Sequence, residues 1–262
     1  MNVRYFPGCT LKTKAKDLDA YARRSAEALG VTLDEPKDWQ CCGGMFTSAN
    51  DEVATKLSSV RLLKDAAASE QPLVTVCSAC HNVVKQTNHA MQTDAAFADR
   101  VNRYLGDDAY HGEATVYHYL ELLRDVVGYG AIKEKVVNPL KGKKIACYYG
   151  CLLLRPGSVM RMDDPENPSI MEDLVRALGA EPVIFANRNE CCGGYMTMES
   201  PALAQKKSEA VIRNAKANGA DLIITACPLC RYNLNKQSDD LPIVYFTELL
   251  AEALGVKEEP HE

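Results

Sequence analysis

Several functional classes are argued against by what this sequence lacks. No run approaches the roughly eighteen consecutive apolar residues of a membrane-spanning helix. Met1-Asn2-Val3-Arg4-Tyr5 leads straight into strand-like sequence without an apolar signal-peptide core. Both absences predict a cytoplasmic protein. A basic stripe is also missing, and the net charge is −5 at pH 7. Nucleic-acid binding depends on neutralising phosphates, so no nucleic-acid partner is expected. The short cluster Lys141-Gly142-Lys143-Lys144 reads as an exposed linker. Neither a G-x-G-x-x-G fingerprint nor a ferredoxin-type C-x-x-C-x-x-C-x-x-x-C-P run occurs. The chain therefore carries no motif for fetching its own electrons.

Cysteine, by contrast, is abundant, with eleven in 262 residues. In a reducing compartment, grouped cysteines are more often metal ligands or catalytic thiols than disulfides. Ten of the eleven form one pattern written twice: Cys9, Cys41-Cys42-Gly43-Gly44, Cys77 and Cys80, then Cys151, Cys191-Cys192-Gly193-Gly194, Cys227 and Cys230. The intervals are 31 and 34 residues in the first copy and 39 and 34 in the second. The duplication extends beyond the cysteines, since Val74-Thr75-Val76-Cys77 matches Ile224-Thr225-Ala226-Cys227, and Val116 to Leu123 resembles Ile243 to Leu250. Internal repetition of this kind divides the chain. We expect a first domain over 1–127, a linker over 128–141, a second domain over 142–256 and a solvated acidic tail over 257–262. With 47% hydrophobic residues, the chain can bury a sizeable core.

Periodicity predicts amphipathic helices over Asp17–Leu29 and Glu52–Ala68. Short β-branched runs predict strands at Val3–Phe6, Leu73–Val76, Thr115–Tyr119, Lys144–Tyr149, Pro182–Phe185, Leu222–Thr225 and Ile243–Phe246. Strands alternating with helices imply an α/β fold of two pseudo-symmetric Rossmann-like domains, each a small, mostly parallel sheet flanked by helices. The cysteines then fall at the carboxyl ends of strands, where open α/β sheets place ligands. Zinc takes four ligands, and an adjacent Cys pair seldom directs both sulfurs at one tetrahedral ion. A multi-iron cluster spreads its ligands over several metals, so an adjacent pair suits it. Five cysteines also exceed the four that an ordinary cubane needs. The glycines after each pair would let the backbone approach bridging sulfides closely and donate N–H bonds to them.

This pattern resembles the CCG domain of the heterodisulfide reductase B-subunit family over nearly the whole chain. The resemblance implies one noncubane [4Fe-4S] cluster on Cys9, Cys41, Cys42, Cys77 and Cys80, and a second on Cys151, Cys191, Cys192, Cys227 and Cys230, with Gly43, Gly44, Gly193 and Gly194 against them. It further implies reductive cleavage of a disulfide to two thiols between the clusters, each passing one electron. The implied partners are a ferredoxin-like iron-sulfur subunit, a flavin-containing subunit, and a hydrogenase or formate dehydrogenase. An alternative within the same domain class is an electron-transfer subunit of a quinone-linked lactate, glycolate or succinate oxidoreductase. A zinc-stabilised scaffold is the non-enzymatic alternative.

Some residues fall outside the repeat. Cys147 reads as a buried strand cysteine and His118 as a core histidine. His81, directly after Cys80, reads equally as a group tuning the first cluster or as a polar residue at a helix start, and Arg231 is its repeat partner. Lys12, Lys14, Arg155 and Arg231 lie close in sequence to cysteines and could favour an anionic disulfide; solvated charge explains each as well. The proline-rich stretch Arg155–Ser169 reads as a surface connection without a first-half counterpart.

Overall fold

The computed structural model describes residues 1–44, 52–106, 109–238 and 241–257. The expected acidic tail, apart from Lys257, lies outside these residues.

Two four-stranded sheets are formed, both wholly parallel. In the first sheet, β1 (Asn2–Phe6), β2 (Thr32–Asp34), β3 (Leu73–Thr75) and β4 (Val116–His118) lie in the order β2-β1-β3-β4. In the second, β5 (Lys144–Tyr148), β6 (Glu181–Val183), β7 (Leu222–Thr225) and β8 (Ile243–Tyr245) repeat the order as β6-β5-β7-β8. Val3, Tyr5 and Phe6 of β1, and Ile145, Ala146, Cys147 and Tyr148 of β5, are all fully buried. Burial on both faces is the reason parallel strands read as continuous apolar runs.

The predicted strands appear, Leu222–Thr225 with the same bounds and the others with ends shifted by at most two residues. β2 was not anticipated, because a three-residue edge strand ending in Asp34 carries too little pattern.

Helices cover the sheets. The first half contributes α1 (Gly8–Thr13), α2 (Lys16–Ala28), α3 (Glu52–Ala68), α4 (Ser78–Thr93), α5 (Ala95–Leu105) and α6 (Tyr119–Glu121), which runs on as a π-helical turn over Leu122–Val127. Then come α7 (Tyr129–Lys135), α8 (Gly157–Met160), α9 (Ile170–Ala177), α10 (Pro201–Ala217), α11 (Pro228–Gln237) and α12 (Phe246–Ala253). The stretch 128–141 thus contains a helix, α7, whose Ile132 is fully buried. Helix α8 interrupts the proline-rich stretch after Arg155. None of the helices among the described residues is long and apolar enough to cross a membrane.

The halves are interlocked. One hydrophobic core runs from Val3 to Leu254 and draws on both sheets. Helix α2 packs on α12, and the Thr247 hydroxyl donates to the Leu18 carbonyl at 3.4 Å. This shared core holds the carboxyl edges of the two sheets against each other.

Candidate metal centre

Each cysteine is placed by the end of a strand. β1 runs through Pro7-Gly8 into α1, which carries Cys9, and β5 runs through Tyr149-Gly150 into the turn carrying Cys151. The Cys41-Cys42 and Cys191-Cys192 pairs lie in the loops that follow β2 and β6. Two residues beyond the ends of β3 and β7, Cys77 and Cys227 occupy the N-cap positions of α4 and α11, and Cys80 and Cys230 sit in the first turns of those helices. A sulfur at an N-cap takes the place of the usual hydroxyl or carboxylate and meets the positive end of the helix.

The ten sulfurs form one unbroken chain of contacts. Cys9 meets Cys41 at 3.7 Å, Cys41 meets Cys42, and Cys42 meets Cys80 at 3.4 Å. Cys80 meets Cys77, and Cys77 meets Cys227 across the boundary between the halves. The second half mirrors the path: Cys227 to Cys230, Cys230 to Cys192 at 3.4 Å, Cys192 to Cys191 and Cys191 to Cys151. The middle of the chain is buried and its ends reach the surface, with Cys9 exposed and Cys41, Cys151 and Cys191 half-buried. All ten predicted residues are therefore brought together, and Cys147 is not. It is fully buried in β5 opposite Ile224, and its place in the first half is taken by Tyr5 of β1.

The motif glycines face the cysteine sulfurs. The Gly43 and Gly44 N–H groups donate to Cys41 and Cys42; the Gly193 N–H donates to Cys191 Sγ at 3.3 Å, and that of Gly194 to Cys192. Gly8 and Gly150 escaped the sequence reading. Both have left-handed φ, +78° and +65°, and a Cβ at Gly8 would lie 2.8 Å from Cys80 Sγ, at Gly150 3.3 Å from Cys230 Sγ. The signal was the Gly-Cys dipeptide that opens both copies.

Protonation along the chain follows from sulfur donating to sulfur. Held mainly by hydrogen bonds from neighbouring thiols, Cys42 falls to about 3 and Cys191 to about 2, and Cys227 lies well below the usual thiol range. Their donors are pushed up: Cys41, Cys80 and Cys151 all rise, while Cys192, donating to Cys191, reaches about 11. Ten thiolates could not coexist here without positive charge, because their repulsion is strong in a low-dielectric interior. Among the described residues no three His, Cys, Asp or Glu side chains surround a single-ion position. Soft donors strung out in a line, with N–H groups aimed between them, suit an assembly of several metals better than one ion. Binding would release the shared protons.

Three hydroxyls lock the boundary. Ser78 donates through its hydroxyl to the Ala226 carbonyl at 2.7 Å, and its backbone N–H reaches the same oxygen at 3.1 Å. Tyr245 lies 2.6 Å from the Val76 carbonyl and 3.0 Å from that of Ala226. Tyr195, just after the second Cys-Cys-Gly-Gly, donates to Gly44 of the first at 2.8 Å.

Comparison with known proteins agrees with this arrangement. A model of the cysteine-rich (CCG) domain matches residues 3–85 and again 145–235. The chain belongs to the cysteine-rich CCG domain family, in duplicated form. Among CCG relatives, the 8-methylmenaquinol:fumarate reductase membrane anchor subunit of Wolinella succinogenes is 31% identical, over 96% of this chain and 92% of that protein. A protein of Archaeoglobus profundus, named as like the B-subunit of heterodisulfide reductase, is 28% identical over 95% and 89%. The B-subunit of the ferredoxin/F(420)H(2)-dependent CoB-CoM heterodisulfide reductase of Methanosarcina acetivorans is 26% identical over 95% and 88%. The fold recurs in the crystal structure of a hypothetical protein from Helicobacter pylori, with TM-score 0.76 at 12% identity; 98% of this chain spans 49% of that one.

Behind the CCG cysteines the two halves differ. His81 and His118 are both fully buried, their rings 5.4 Å apart. His118 caps α6, accepting from the Leu120 N–H at 3.2 Å, as a core histidine would. His81 Nε2 lies 3.3 Å from Glu121 Oε2, and Lys85 donates to Glu121 Oε1 at 2.8 Å. Burial alone would raise Glu121; His81 and Lys85 overcome it and bring the carboxyl down to about 2. In the second half Arg231 takes the place of His81 and lies 3.5 Å from Glu248 and 3.7 Å from Asp17. Arg155 is occupied by Glu166 and the Asn189 carbonyl, and Lys12 by Glu35.

Proposed function

We propose that this chain is the catalytic subunit of a heterodisulfide reductase-like complex, cleaving a disulfide reductively between two metal centres. The balanced reaction is RS–SR′ + 2 e⁻ + 2 H⁺ → RSH + R′SH. The observation that carries this reading is the boundary at which Ser78 and Tyr245 tie the Val76 and Ala226 carbonyls, and with them the adjoining Cys77 and Cys227, so that two equivalent five-cysteine sets meet. A two-electron cleavage into two thiols is naturally served by two one-electron centres side by side.

Cys9, Cys41, Cys42, Cys77 and Cys80 would hold one noncubane [4Fe-4S] cluster, and Cys151, Cys191, Cys192, Cys227 and Cys230 the other. When bound, these clusters would supply the electrons and the iron that receives each sulfur. The chain's own residues orient and exclude. Tyr149, Leu152, Tyr195 and Leu229 wall an apolar hollow against the second set, keeping water from the reacting sulfurs. Ser78, Tyr245 and Tyr195 hold the sets at a fixed separation. Heterodisulfide reductase relatives are named as subunits, which supports membership of a complex; iron-sulfur and flavin-containing subunits are the partners proposed for it.

A second reading rests on the 31% identical relative named as an 8-methylmenaquinol:fumarate reductase subunit: an electron-transfer subunit of a quinone-linked oxidoreductase. Both readings require iron. Anaerobically purified protein should contain about eight irons and eight acid-labile sulfides per chain, and added thiol or disulfide should alter its EPR spectrum. Zinc without sulfide would overturn both. Iron-sulfur signals indifferent to every disulfide, together with turnover of a quinol, would favour the second.

A further inference from the structure

The two ends of the sulfur chain are presented differently to solvent. At the second end, Cys151 is half-buried and its loop is clamped by the other half: Asn82 of α4 donates to the Leu152 carbonyl at 2.7 Å and to that of Arg155 at 2.8 Å. The following stretch is tied down again, with Asn189 donating to the Pro165 carbonyl at 2.8 Å and Asp163 accepting from the Ser169 N–H at 2.6 Å. Nothing equivalent covers the first end among the described residues. There α1 leads almost directly into α2, Cys9 is exposed, and the residue matching Asn82 is Tyr232, which is 59% exposed.

Charge differs as well. The open end carries exposed Lys14, Lys16, Lys37 and Arg61 against Asp17 and Asp38. Lys37 and Arg61 line a groove of about 400 Å³ with Trp39 and Ser58, and the Ser58 hydroxyl donates to the Cys41 carbonyl at 2.8 Å. The groove therefore abuts the outer pair Cys9 and Cys41. Around the covered end, Lys206, Lys207, Arg155 and Arg161 are balanced by Asp163, Asp164, Glu166 and Glu190, with Arg155 paired to Glu166. A basic, open rim on a protein of net charge −5 is the complement of an acidic partner, since opposite potentials steer encounter and set orientation.

We propose that an acidic iron-sulfur redox protein docks on the rim formed by Lys14, Lys16, Lys37 and Arg61, so that electrons cross between it and the chain at the Cys9 end. Each transfer oxidises the partner's reduced cluster by one electron and reduces the first cysteine set's cluster by one. The inference rests on the iron-sulfur reading above and holds for either reaction proposed there, electrons running outward if the substrate is a quinol.

The test uses the iron-loaded chain and a small acidic [2Fe-2S] ferredoxin, pre-reduced with dithionite, followed by visible bleaching in stopped flow. The second-order rate should fall steeply as salt rises. The double variant Lys37→Glu/Arg61→Glu should slow it by about tenfold or more at low salt, whereas Lys206→Glu/Lys207→Glu should change it by less than about twofold. Reduction by the uncharged 5-deazaflavin radical should be the same in all three proteins. Equal slowing by both double variants, or by neither, would overturn the docking site. So would an unchanged ferredoxin rate in Lys37→Glu/Arg61→Glu accompanied by a raised KM for an anionic disulfide, which would give the groove to substrate. A chain that binds no iron would instead overturn the function proposed above and this inference with it.

Discussion

Both halves carry the same five-sulfur path from opposite directions, but the side chains behind the sulfurs are not repeated. His81, Glu121 and Lys85 stand behind the first set, while Arg231, Glu248 and Asp17 stand behind the second. Ser78 reaches across the boundary with both its N–H and its hydroxyl, whereas its counterpart Pro228 has no N–H to return the bond. Tyr149, fully buried, donates to Glu172 and accepts from the Met171 N–H at 2.9 Å, bracing the turn before Cys151; Pro7 occupies that place before Cys9. What repeats is the path of sulfurs and the glycines set against it. What differs sets access, pH response and the grip of one half on the other.

The largest expected contrast separates the repeat cysteines from the leftover one. Cys77→Ala or Cys227→Ala should remove about half of the bound iron, one four-iron cluster of two. Cys147→Ala should leave iron and sulfide unchanged and cost about 1 kcal/mol for the small cavity. Iron and sulfide per chain decide between these outcomes, and iron loss in Cys147→Ala would break the assignment of five ligands to each half. Next in size is the contrast between two motif glycines. Gly193 has φ +80°, and a Cβ there would lie 2.7 Å from the Ala204 Cα, a backbone atom of α10. Gly193→Ala should therefore cost about 3 kcal/mol in a denaturant titration, from overpacking and left-handed strain together. A Cβ at Gly44 meets nothing closer than 3.5 Å, so Gly44→Ala should stay within about 1 kcal/mol.

These contrasts also show where the sequence was readable. Cysteine spacing picked out the ten sulfurs that the fold brings together, because a thiolate's chemistry belongs to the residue type and a repeat exposes its geometry. The sheets were readable because β1, β5 and β7 are buried apolar runs. β2 was lost because three half-exposed residues carry no period, and α7 because a polar segment of seven residues hides its one buried contact, Ile132. The grip between halves was unreadable for a different reason. Asn82, Tyr195 and Tyr245 act through one or two hydrogen bonds each to backbone carbonyls, and a carbonyl leaves no trace in the sequence.

The third contrast concerns pH. Burial, and next the neighbouring His81, hold His118 well below the usual imidazole range; Glu121 and the Val76 carbonyl oppose the shift, and Lys85 adds to it. A depressed folded value means that the unfolded chain binds the extra proton. The stabilisation is thus complete above the unfolded value of about 6.5 and is lost as pH falls. His118→Gln should reduce the slope of stability against pH below about 6.5 by one proton, about 1.4 kcal/mol per pH unit. Tyr245, the counterpart of His118, is driven well above the tyrosine range by burial and does not titrate there. Tyr245→Phe should cost about 1 kcal/mol from its lost hydrogen bonds, with the slope unchanged. Parallel loss of slope in both variants would mean that the histidine is not the source.

The smallest contrast tests whether covering the second set depends on one amide. Asn82 is buried and hydrogen-bonded to the loop that follows Cys151, while Tyr232, at the same place in the repeat, is 59% exposed. Asn82→Ala leaves two carbonyls without their donor and should cost about 1–2 kcal/mol; Tyr232→Ala should fall within about 0.5 kcal/mol. Stability alone would not tell clamping from packing, so the informative measurement is the rate at which a chelator strips iron. In the unaltered protein two phases are expected, the faster from the open first set. Asn82→Ala should accelerate only the slower phase, because the clamp acts on the Cys151 loop and leaves the Cys9 end untouched. If both phases accelerated together, Asn82 would be supporting the shared core, and the difference in access would have to lie in the loop itself.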